Sequence, residues 1–203
     1  INEIKQILLN KKITITGVLH IGAHEGEEMN NYSQLGLKQD NILWVDGNED
    51  KVKMLKKNFS NVYHAIISDT DDKLVTFNIS NCTQASSILE LDKVKMIYPM
   101  VNYIKKVNYK SLTINSFFKR NLIYKPERFN LWNLDIQGAE LLALKGSTEF
   151  LKNVDVIYVE VNLVTLYKNS PLVDDIKNYL LKHNFTCIKC VYDAGKWGDA
   201  IFV

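Results

Sequence analysis

Apolar residues fall into two alternating patterns along the chain, short runs rich in β-branched residues and longer segments with helical spacing. The runs predict strands at ITGVLHI, NILWVD, NVYHAIIS, KLVTFNI, FNLWNLDI, VDVIYVEVN, FTCIKCV and DAIFV. The longer segments predict helices at EEMNNYSQLGL, EDKVKMLKKNF, GAELLALKGSTEFL and PLVDDIKNYLLKHN. Strands that alternate with helices predict an α/β fold, in which helices cover both faces of a mostly parallel sheet.

Residues 80–128 interrupt this alternation. They contain one further strand pattern, near residues 100–110, and one short helix pattern, INSFFKR. An irregular segment of this length inside an α/β domain usually covers a functional site. We therefore expect residues 1–203 to form a single domain in which residues 80–128 are an insertion that covers the substrate.

Composition and charge narrow the class of protein. The 203 residues carry 25 basic and 23 acidic side chains, and the formal charge of +2 gives no large field for nucleic acid or an anionic membrane. No apolar run approaches the roughly 18 residues that span a bilayer. The N-terminal INEIKQILLNKK lacks the order of a signal peptide. These features predict a cytoplasmic protein with no membrane partner, and they leave the oligomeric state open.

The cysteine content also favours a cytoplasmic protein. Three cysteines are an odd number, which argues against a disulfide framework and for a reducing compartment. Cys187 and Cys190 form a C-x-x-C pattern, but the surrounding NFTCIKCVY predicts a strand. Residues three apart in a strand point to opposite faces, so we interpret this pair as small strand residues that bind no metal.

The first candidate site lies where the first strand ends, in VLHIGAHEGEE. Gly22 and Gly26 turn the chain from a strand into a helix, whose N-terminus offers free N–H groups. A dinucleotide fingerprint would need glycines at positions 22, 24 and 27, where the chain has His24 and Glu27 in the second and third places. Asp46 ends the next strand, at a spacing typical of an acid that holds ribose hydroxyls. Singly, the glycines fit a turn and Asp46 an N-cap, but together they predict a nucleoside cofactor.

The segment NLWNLDIQGAELLALKG carries a resemblance to a known family. Its Asp135-Ile136-Gln137-Gly138-Ala139-Glu140, followed by Leu144-Lys145-Gly146, resembles the D-x-E-G-x-E segment and L-K-G of the FkbM family of S-adenosylmethionine-dependent methyltransferases. The resemblance runs from about residue 17 to the end and includes HIGAHEGEE, AIISDTDDKLVTFN, ASSIL, VIYVEVN and WGDAIFV. His20 and His24 stand where this family commonly has an acid and a small amide, and Gln137 replaces its middle Glu.

The resemblance implies a Rossmann-like class I methyltransferase sheet of seven strands, with the last strand antiparallel, and S-adenosyl-L-methionine as the cofactor. Glycines at the first loop would approach the methionine and ribose, Asp46 would hold the ribose hydroxyls, and Asp69 matches the position that reaches the adenine amino group. Asp69 fits an exposed turn acid equally well. The implied cofactor contacts are His20, Gly22, Ala23, His24, Gly26, Asp46, Asp69 and Asp135.

The candidate catalytic residues are three carboxylates, Asp135, Glu160 and Glu140. Asp135 and Glu160 stand at or near the ends of adjacent predicted strands. Methyl transfer requires the acceptor oxygen about 3 Å from the methyl carbon and a place for its proton. A carboxylate is a weak base for an alcohol unless burial raises its pKa or a metal lowers that of the acceptor, and the residues leave both options open. Glu140 fits stabilisation of the helix N-terminus equally well.

The predicted reaction is O-methylation of a hydroxyl on a small-molecule or glycan acceptor, such as a sugar or natural product, and the acceptor class comes from the resemblance. Tyr98, Tyr103, Tyr109 and Trp132 are aromatic candidates for stacking on a sugar, although each also fits a covering core. Three alternatives remain. The run YIKKVNYKSLTINSFFKRNLIYK interleaves cations with aromatics, as RNA 2′-O-methyltransferases would require. The others are an NAD-dependent oxidoreductase and a non-catalytic cofactor-binding module.

Overall fold

The structure, a computed structural model, describes residues 2–121, 125–193 and 196–203. Within these ranges the strands are β1 Val18–Ile21, β2 Ile42–Asp46, β3 Val62–His64, β4 Ile66–Ile67, β5 Leu74–Ser80, β6 Tyr103–Leu112, β7 Leu131–Leu134, β8 Val156–Asn162, β9 Cys187–Asp193 and β10 Trp197–Phe202. The α-helices are α1 Asn2–Lys11, α2 Met29–Gln34, α3 Glu49–Leu55, α4 Val94–Ile97, α5 Ile114–Arg120, α6 Glu140–Lys145 and α7 Val173–Leu181. Single 3-10 turns lie at Gln39–Asn41, Thr83–Ala85, Pro126–Arg128 and Leu151–Asn153.

The main sheet has seven strands in the order β3-β2-β1-β7-β8-β10-β9. Neighbours from β3 to β8 are parallel, and β10 runs antiparallel to both β8 and β9. The predicted seven-stranded, mostly parallel sheet with an antiparallel last strand is therefore confirmed. The strand order reverses between β1 and β7, and in open α/β sheets the crevice at this point is where ligands bind.

Each face of the main sheet buries its own apolar cluster. Leu19 and Ile21 of β1 belong to a cluster that includes residues of α5, α6 and α7, and Val18 belongs to a second cluster with residues of α1, α2 and α3. Strands β1, β2 and β7 are buried along their whole length because helices cover both faces. This explains why these strands appear in the sequence as nearly continuous apolar runs.

Helix α6 is shorter than the predicted helix over residues 138–151. It ends at Lys145, and a separate 3-10 turn follows at Leu151–Asn153. A side chain at Gly146 would place its Cβ 2.3 Å from the backbone oxygen of Ser68. The glycine therefore lets the end of α6 approach the segment that follows β4.

Residues 80–128 contribute to a second, smaller sheet with the order β4-β6-β5. The strand predicted near residues 100–110 is β6, which pairs antiparallel with β5 and parallel with β4, and INSFFKR forms α5. The remainder of the segment includes the 3-10 turn Thr83–Ala85 and the short helix α4. Residues 122–124, which fall within the predicted insertion, lie outside the described residues.

The prediction for the C-x-x-C pattern is wrong in one respect. Phe202 of β10 pairs with Cys187 and Ile201 pairs with Lys189, so Ile188 is an extra residue in β9. Such a β-bulge interrupts the alternation of side chains. The two thiols consequently meet, with 3.3 Å between the Sγ atoms of Cys187 and Cys190.

Candidate active site

A cavity of about 530 Å³ opens at the carboxyl ends of the central strands. Its described lining includes the loops after β1, β2 and β7, residues of β4, β5, β8 and β10, and part of residues 82–101 of the predicted insertion. Residues 82–101 therefore lie over the carboxyl edge of the sheet, where the strand order predicts a ligand site.

The loop after β1 is fixed by its contact with the end of β7. Gly22 has a positive φ of +92°, and a Cβ at this position would lie 1.7 Å from the backbone oxygen of Asp135. The backbone N–H of Asp135 donates to Ile21 O at 2.9 Å, and that of Gly22 donates to Val45 O at 2.8 Å. Gly22 lines the cavity, but the close approach of the Asp135 carbonyl already explains why this position has no side chain.

Asp46 presents a buried carboxylate to the cavity at the end of β2. Its Oδ2 accepts the backbone N–H of His24 and its Oδ1 that of Asn48, both at 2.7 Å. Burial raises the pKa of Asp46 above its usual value, and these two donors oppose the rise. Each carboxylate oxygen can accept a further hydrogen bond from a ligand.

His24 joins the loop after β1 to the segment above the cavity. It has a positive φ of +43°, and its two ring nitrogens lie 2.8 Å from Glu27 Oε1 and 2.8 Å from Thr83 Oγ1. His24, Glu27 and Thr83 all line the cavity. The imidazole thus spans from the sheet edge to the 3-10 turn Thr83–Ala85, which belongs to the covering segment, residues 82–101.

Four polar side chains form a connected group where β7 and β8 reach the cavity. The amide nitrogen of Gln137 donates to Asp135 Oδ1 at 2.7 Å and to Glu160 Oε2 at 2.5 Å, and its amide oxygen accepts the Tyr167 hydroxyl at 2.6 Å. All four residues line the cavity. Burial and the neighbouring Asp135 carboxylate raise the pKa of Glu160 well above its usual value.

The Glu140 side chain accepts hydrogen bonds from the backbone of the loop that precedes α6. Its side chain is 0% exposed, and Oε1 accepts the backbone N–H groups of Ile136 at 2.9 Å and Gly138 at 3.1 Å. Burial raises the pKa of Glu140 to about 7. Glu140 does not belong to the described lining of the cavity, so the structure gives it a supporting position behind Asp135 and Gln137.

His20, expected as a cofactor contact, lies in the core. It is 1% exposed, and its ring packs against Tyr32 and Trp44. The Tyr32 hydroxyl accepts a hydrogen bond from Asn133 Nδ2 at 2.8 Å and lies 3.1 Å from His20 Nδ1. Burial lowers the pKa of His20 to about 3, which keeps the ring neutral.

Ala23, Gly26 and Asp69 also lie outside the described lining of the cavity. Ala23 is buried, and a Cβ on Gly26 would meet the Phe59 ring at 2.6 Å, so packing accounts for both small residues. Asp69 is exposed and accepts hydrogen bonds from Ser68 and Thr70.

The cavity contains residues that sequence reasoning missed. Ile66 and Phe77 form apolar wall beside Gly47, whose missing Cβ would lie within 3 Å of both side chains. At the other end, Trp197 Nε1 donates to the Tyr98 hydroxyl at 3.2 Å. Trp197 belongs to the WGDAIFV segment, which was recognised as part of the resemblance but not as part of the site.

The aromatic candidates divide by position. Tyr98 lines the cavity, and the other three do not belong to its described lining. Tyr103 donates to Leu89 O at 2.6 Å, and Tyr109 packs on the His64 ring. Trp132 is 1% exposed in the core, where it donates to Phe129 O, so its proposed contact with a sugar is wrong.

A second cavity of about 400 Å³ adjoins the first on the side of β10. Its lining includes the carboxyl groups of Glu28, Asp135, Glu160 and Asp199. Burial raises the pKa of Glu28 to about 7. Across the described ranges, no group of three or more His, Cys, Asp or Glu side chains is arranged to hold a metal ion. In the same part of the chain, no helix has both the length and the apolar character needed to cross a membrane.

Comparisons with known proteins bear on this geometry. Residues 20–187 match the family model described as the methyltransferase FkbM domain. Among solved structures, the chain is similar to methyltransferase FkbM from Methylobacillus flagellatus KT, with a TM-score of 0.51, 14% identity and coverage of 92% of this chain and 43% of that one. It is also similar to TrmK from M. capricolum in complex with S-adenosyl-homocysteine, with a TM-score of 0.46, 9% identity and coverage of 92% and 61%. The chain thus spans about half the length of these structures. A comparison with curated proteins gave no match.

Proposed function

This chain belongs to the FkbM methyltransferase family, and from that premise we propose that it transfers a methyl group from S-adenosyl-L-methionine to a hydroxyl of a sugar, glycan or natural product. One observation carries the proposal. A single cavity joins a buried acid at the end of β2, Asp46, to the hydrogen-bonded group of Asp135, Gln137 and Glu160 at the ends of β7 and β8. The first position suits a nucleoside and the second suits a hydroxyl that loses its proton. The family membership sets aside the NAD-dependent oxidoreductase.

The residues around Asp46 fit this cofactor. The Asp46 oxygens can accept from two vicinal ribose hydroxyls while keeping their backbone donors. Ile66 and Phe77 give an apolar surface for a flat base. When bound, the cofactor supplies a methyl group on a positively charged sulfur. The Asp135 carboxylate, which lines the same cavity, offers negative charge to stabilise that cation.

Asp135 and Glu160 are suited to orient the acceptor and take its proton. Both lie next to one donor, the Gln137 amide nitrogen, which fixes their relative orientation. A carboxyl whose pKa is raised is a better base for a hydroxyl than an ordinary carboxylate, and burial raises the pKa of Glu160. Gln137 is itself held by the Tyr167 hydroxyl. The pair is therefore positioned before any acceptor arrives.

The covering segment suits a small acceptor with hydroxyl groups. His24 bonds Thr83 on one side of the cavity, and Trp197 bonds Tyr98 on the other. These two links hold residues 82–101 over the cavity. An aromatic pair beside carboxylates offers both an apolar face for a sugar ring and acceptors for its hydroxyls.

The cofactor assignment is tested by titration calorimetry with S-adenosyl-L-methionine and its demethylated product. Asp46→Asn should bind both about 5- to 150-fold more weakly, because ribose hydroxyls lose a charged acceptor worth about 1 to 3 kcal/mol. Asp69→Asn is the matched control, since that acid is exposed and outside the described lining, and it should bind as the parent does. Circular dichroism checks that both variants fold. Equal affinities for the two variants would contradict the assignment, as would tight binding of NADH by the parent.

The acceptor class is tested with methyl-labelled cofactor and separate pools of glycan fragments, small polyhydroxylated natural products and RNA. We expect label in the glycan or natural-product pools. Label in RNA that falls steeply with added salt would instead support the RNA methyltransferase. Cofactor binding with no label in any pool would support the non-catalytic module.

A further inference from the structure

The proposed function does not use the two cysteines of β9. Cys187 and Cys190 belong to the described lining of neither cavity, and they lie on the edge strand of the main sheet. Both side chains are half-buried and pack against the core cluster that includes α7. A role for this pair must therefore come from its own chemistry.

The β-bulge at Ile188 is what brings the thiols together. In a regular strand the two side chains would lie on opposite faces. In the structure the Sγ atoms are 3.3 Å apart, and the Cys187 thiol also lies 3.6 Å from Lys189 O. A disulfide requires an S–S distance of about 2.05 Å. A shift of about 1 Å in the sulfur positions therefore separates the thiol contact from a bond.

The surroundings favour a thiol pair over a metal centre. No third His, Cys, Asp or Glu joins the two sulfurs as a ligand set in the described ranges. The Lys177 ammonium on α7 faces Cys187, and the Tyr192 hydroxyl faces Cys190. Burial and the neighbouring Cys190 raise the pKa of Cys187 to about 11, so this thiol stays protonated at neutral pH. Two sulfur atoms in contact, with no further ligand group in the described ranges, suit a redox pair.

We propose that Cys187 and Cys190 form a reversible dithiol–disulfide site, with a small-molecule disulfide such as oxidised glutathione as the oxidant. One cysteine loses its proton to solvent, and the thiolate attacks a sulfur of the oxidant, which forms a mixed disulfide and releases a glutathione thiolate that takes up a proton. The other cysteine then loses its proton and attacks the protein sulfur of that mixed disulfide, which releases the second glutathione thiol. Two cysteine thiols lose two electrons and two protons, and one oxidised glutathione gains them.

The test uses the full chain with Cys82→Ser, because Cys82 is exposed and would form its own mixed disulfide. After incubation with oxidised glutathione, intact mass should fall by about 2 Da without a glutathione adduct, and the protein should lose both titratable thiols. Dithiothreitol should restore them. In the same background, Cys187→Ser and Cys190→Ser should each instead gain one glutathione. A stable glutathione adduct on the Cys82→Ser chain, or unchanged thiols in it, would overturn the proposal.

A comparison of the folded and unfolded chain shows whether the β-bulge, and not only the short sequence separation of the two cysteines, favours the disulfide. The Cys82→Ser protein is equilibrated with mixtures of reduced and oxidised glutathione, once folded and once in concentrated guanidinium chloride. Because the fold holds the sulfurs in contact, the internal disulfide should form at an at least 10-fold lower ratio of oxidant to reductant when the chain is folded, about 1.4 kcal/mol in free energy. Equal ratios in both conditions would show that the bulge contributes nothing and would overturn the structural basis of the site.

Discussion

The loops that follow β1 and β7 lie side by side at the same edge of the sheet, yet they serve the cavity in different ways. The loop after β1, residues 22–28, makes backbone contacts through the His24 N–H, which bonds Asp46, and through Gly22, which leaves room for the Asp135 carbonyl, and its His24 side chain also lines the cavity. The loop after β7, residues 135–139, presents the side chains of Asp135 and Gln137 to the cavity. Both loops contain left-handed backbone, at Gly22 and at Gln137 for example. From this comparison we expect the loop after β1 mainly to shape the site and the loop after β7 to supply its proposed chemistry.

The largest expected effect concerns the loop after β7. Asp135→Asn keeps the shape of the side chain and removes its charge, so it should lower methyl transfer by the roughly 10² to 10⁴ associated with a positioned acid or base. Glu160→Gln should act in the same direction. Both variants should bind the cofactor nearly as well as the parent, measured by calorimetry beside turnover of an acceptor that the parent methylates. Full turnover by Asp135→Asn would break the division between the loops, and Asp69→Asn serves as the control.

The next effect concerns the loop after β1 and is one of stability. Gly22→Ala would place a Cβ 1.7 Å from the Asp135 carbonyl oxygen, so β1 and β7 must separate or the chain must not fold. We expect a loss of about 3 to 5 kcal/mol in the free energy of unfolding in urea.

Gly36→Ala is the matched control for this variant. Gly36 also has a positive φ, +85°, but a Cβ added there would have no atom within 4 Å, so only backbone strain of about 1 kcal/mol applies. Equal losses in the two variants would show that conformation alone, and not the contact with Asp135, makes Gly22 necessary.

These two positions show what the sequence could and could not predict. The buried runs predict the sheet because β1, β2 and β7 are covered on both faces, and adjacent strand ends bring Asp135 and Glu160 together as expected. A glycine, by contrast, shows that a side chain is missing but not which atom requires its absence. At Gly22 that atom belongs to a residue far along the chain.

Other parts of the site were missed for a similar reason. Ile66, Phe77 and Trp197 come from three separate segments, and no local period marks them as neighbours of one cavity. The Cys187 and Cys190 pair was missed because one extra residue, Ile188, reverses the alternation on which the prediction depended. His20 was assigned by its place in a motif, whereas its burial depends on Tyr32 and Trp44.

Glu140 supports the loop after β7 from behind, and its removal gives the third effect. Glu140→Ala leaves the buried N–H groups of Ile136 and Gly138 without their acceptor and opens a cavity, so unfolding should be easier by about 2 to 4 kcal/mol. Glu140→Gln keeps a carbonyl oxygen for both donors and should restore most of this loss. If the Gln variant were as unstable as the Ala variant, the hydrogen bonds accepted by a neutral carbonyl oxygen would not be sufficient to stabilise the turn.

The pH dependence of stability gives a fourth, smaller effect. Burial raises the pKa of Glu140 from 4.5 to about 7, so the folded state binds its proton more tightly than the unfolded state. Its contribution is therefore present at low pH and is lost as pH rises from about 4.5 to 7, by at most about 3 kcal/mol. The stability of Glu140→Gln relative to the parent should rise over this window, measured by urea unfolding at several pH values.

The stability of the variant is compared with that of the parent because the stability contribution of His20 changes with pH in the opposite direction. Burial lowers the pKa of His20 from 6.5 to about 3, so its contribution is lost as pH falls through that range. A difference between Glu140→Gln and the parent that stays constant from pH 4.5 to 7 would contradict the assignment to Glu140.

The smallest expected effect tests whether His24 closes the cavity. His24→Asn retains a residue that tolerates left-handed backbone but cannot reach Thr83, so the link between the loop after β1 and the covering segment is lost. A hydrogen bond of this kind contributes about 0.5 to 1.5 kcal/mol, so cofactor affinity should fall about 2- to 10-fold by calorimetry. Thr83→Val removes the same link from the other side. In a double-mutant cycle the second change should add little to the first, because both break one contact. Additive losses from the two variants would show that His24 and Thr83 act separately, and the loop after β1 would then shape the cavity without fastening its cover.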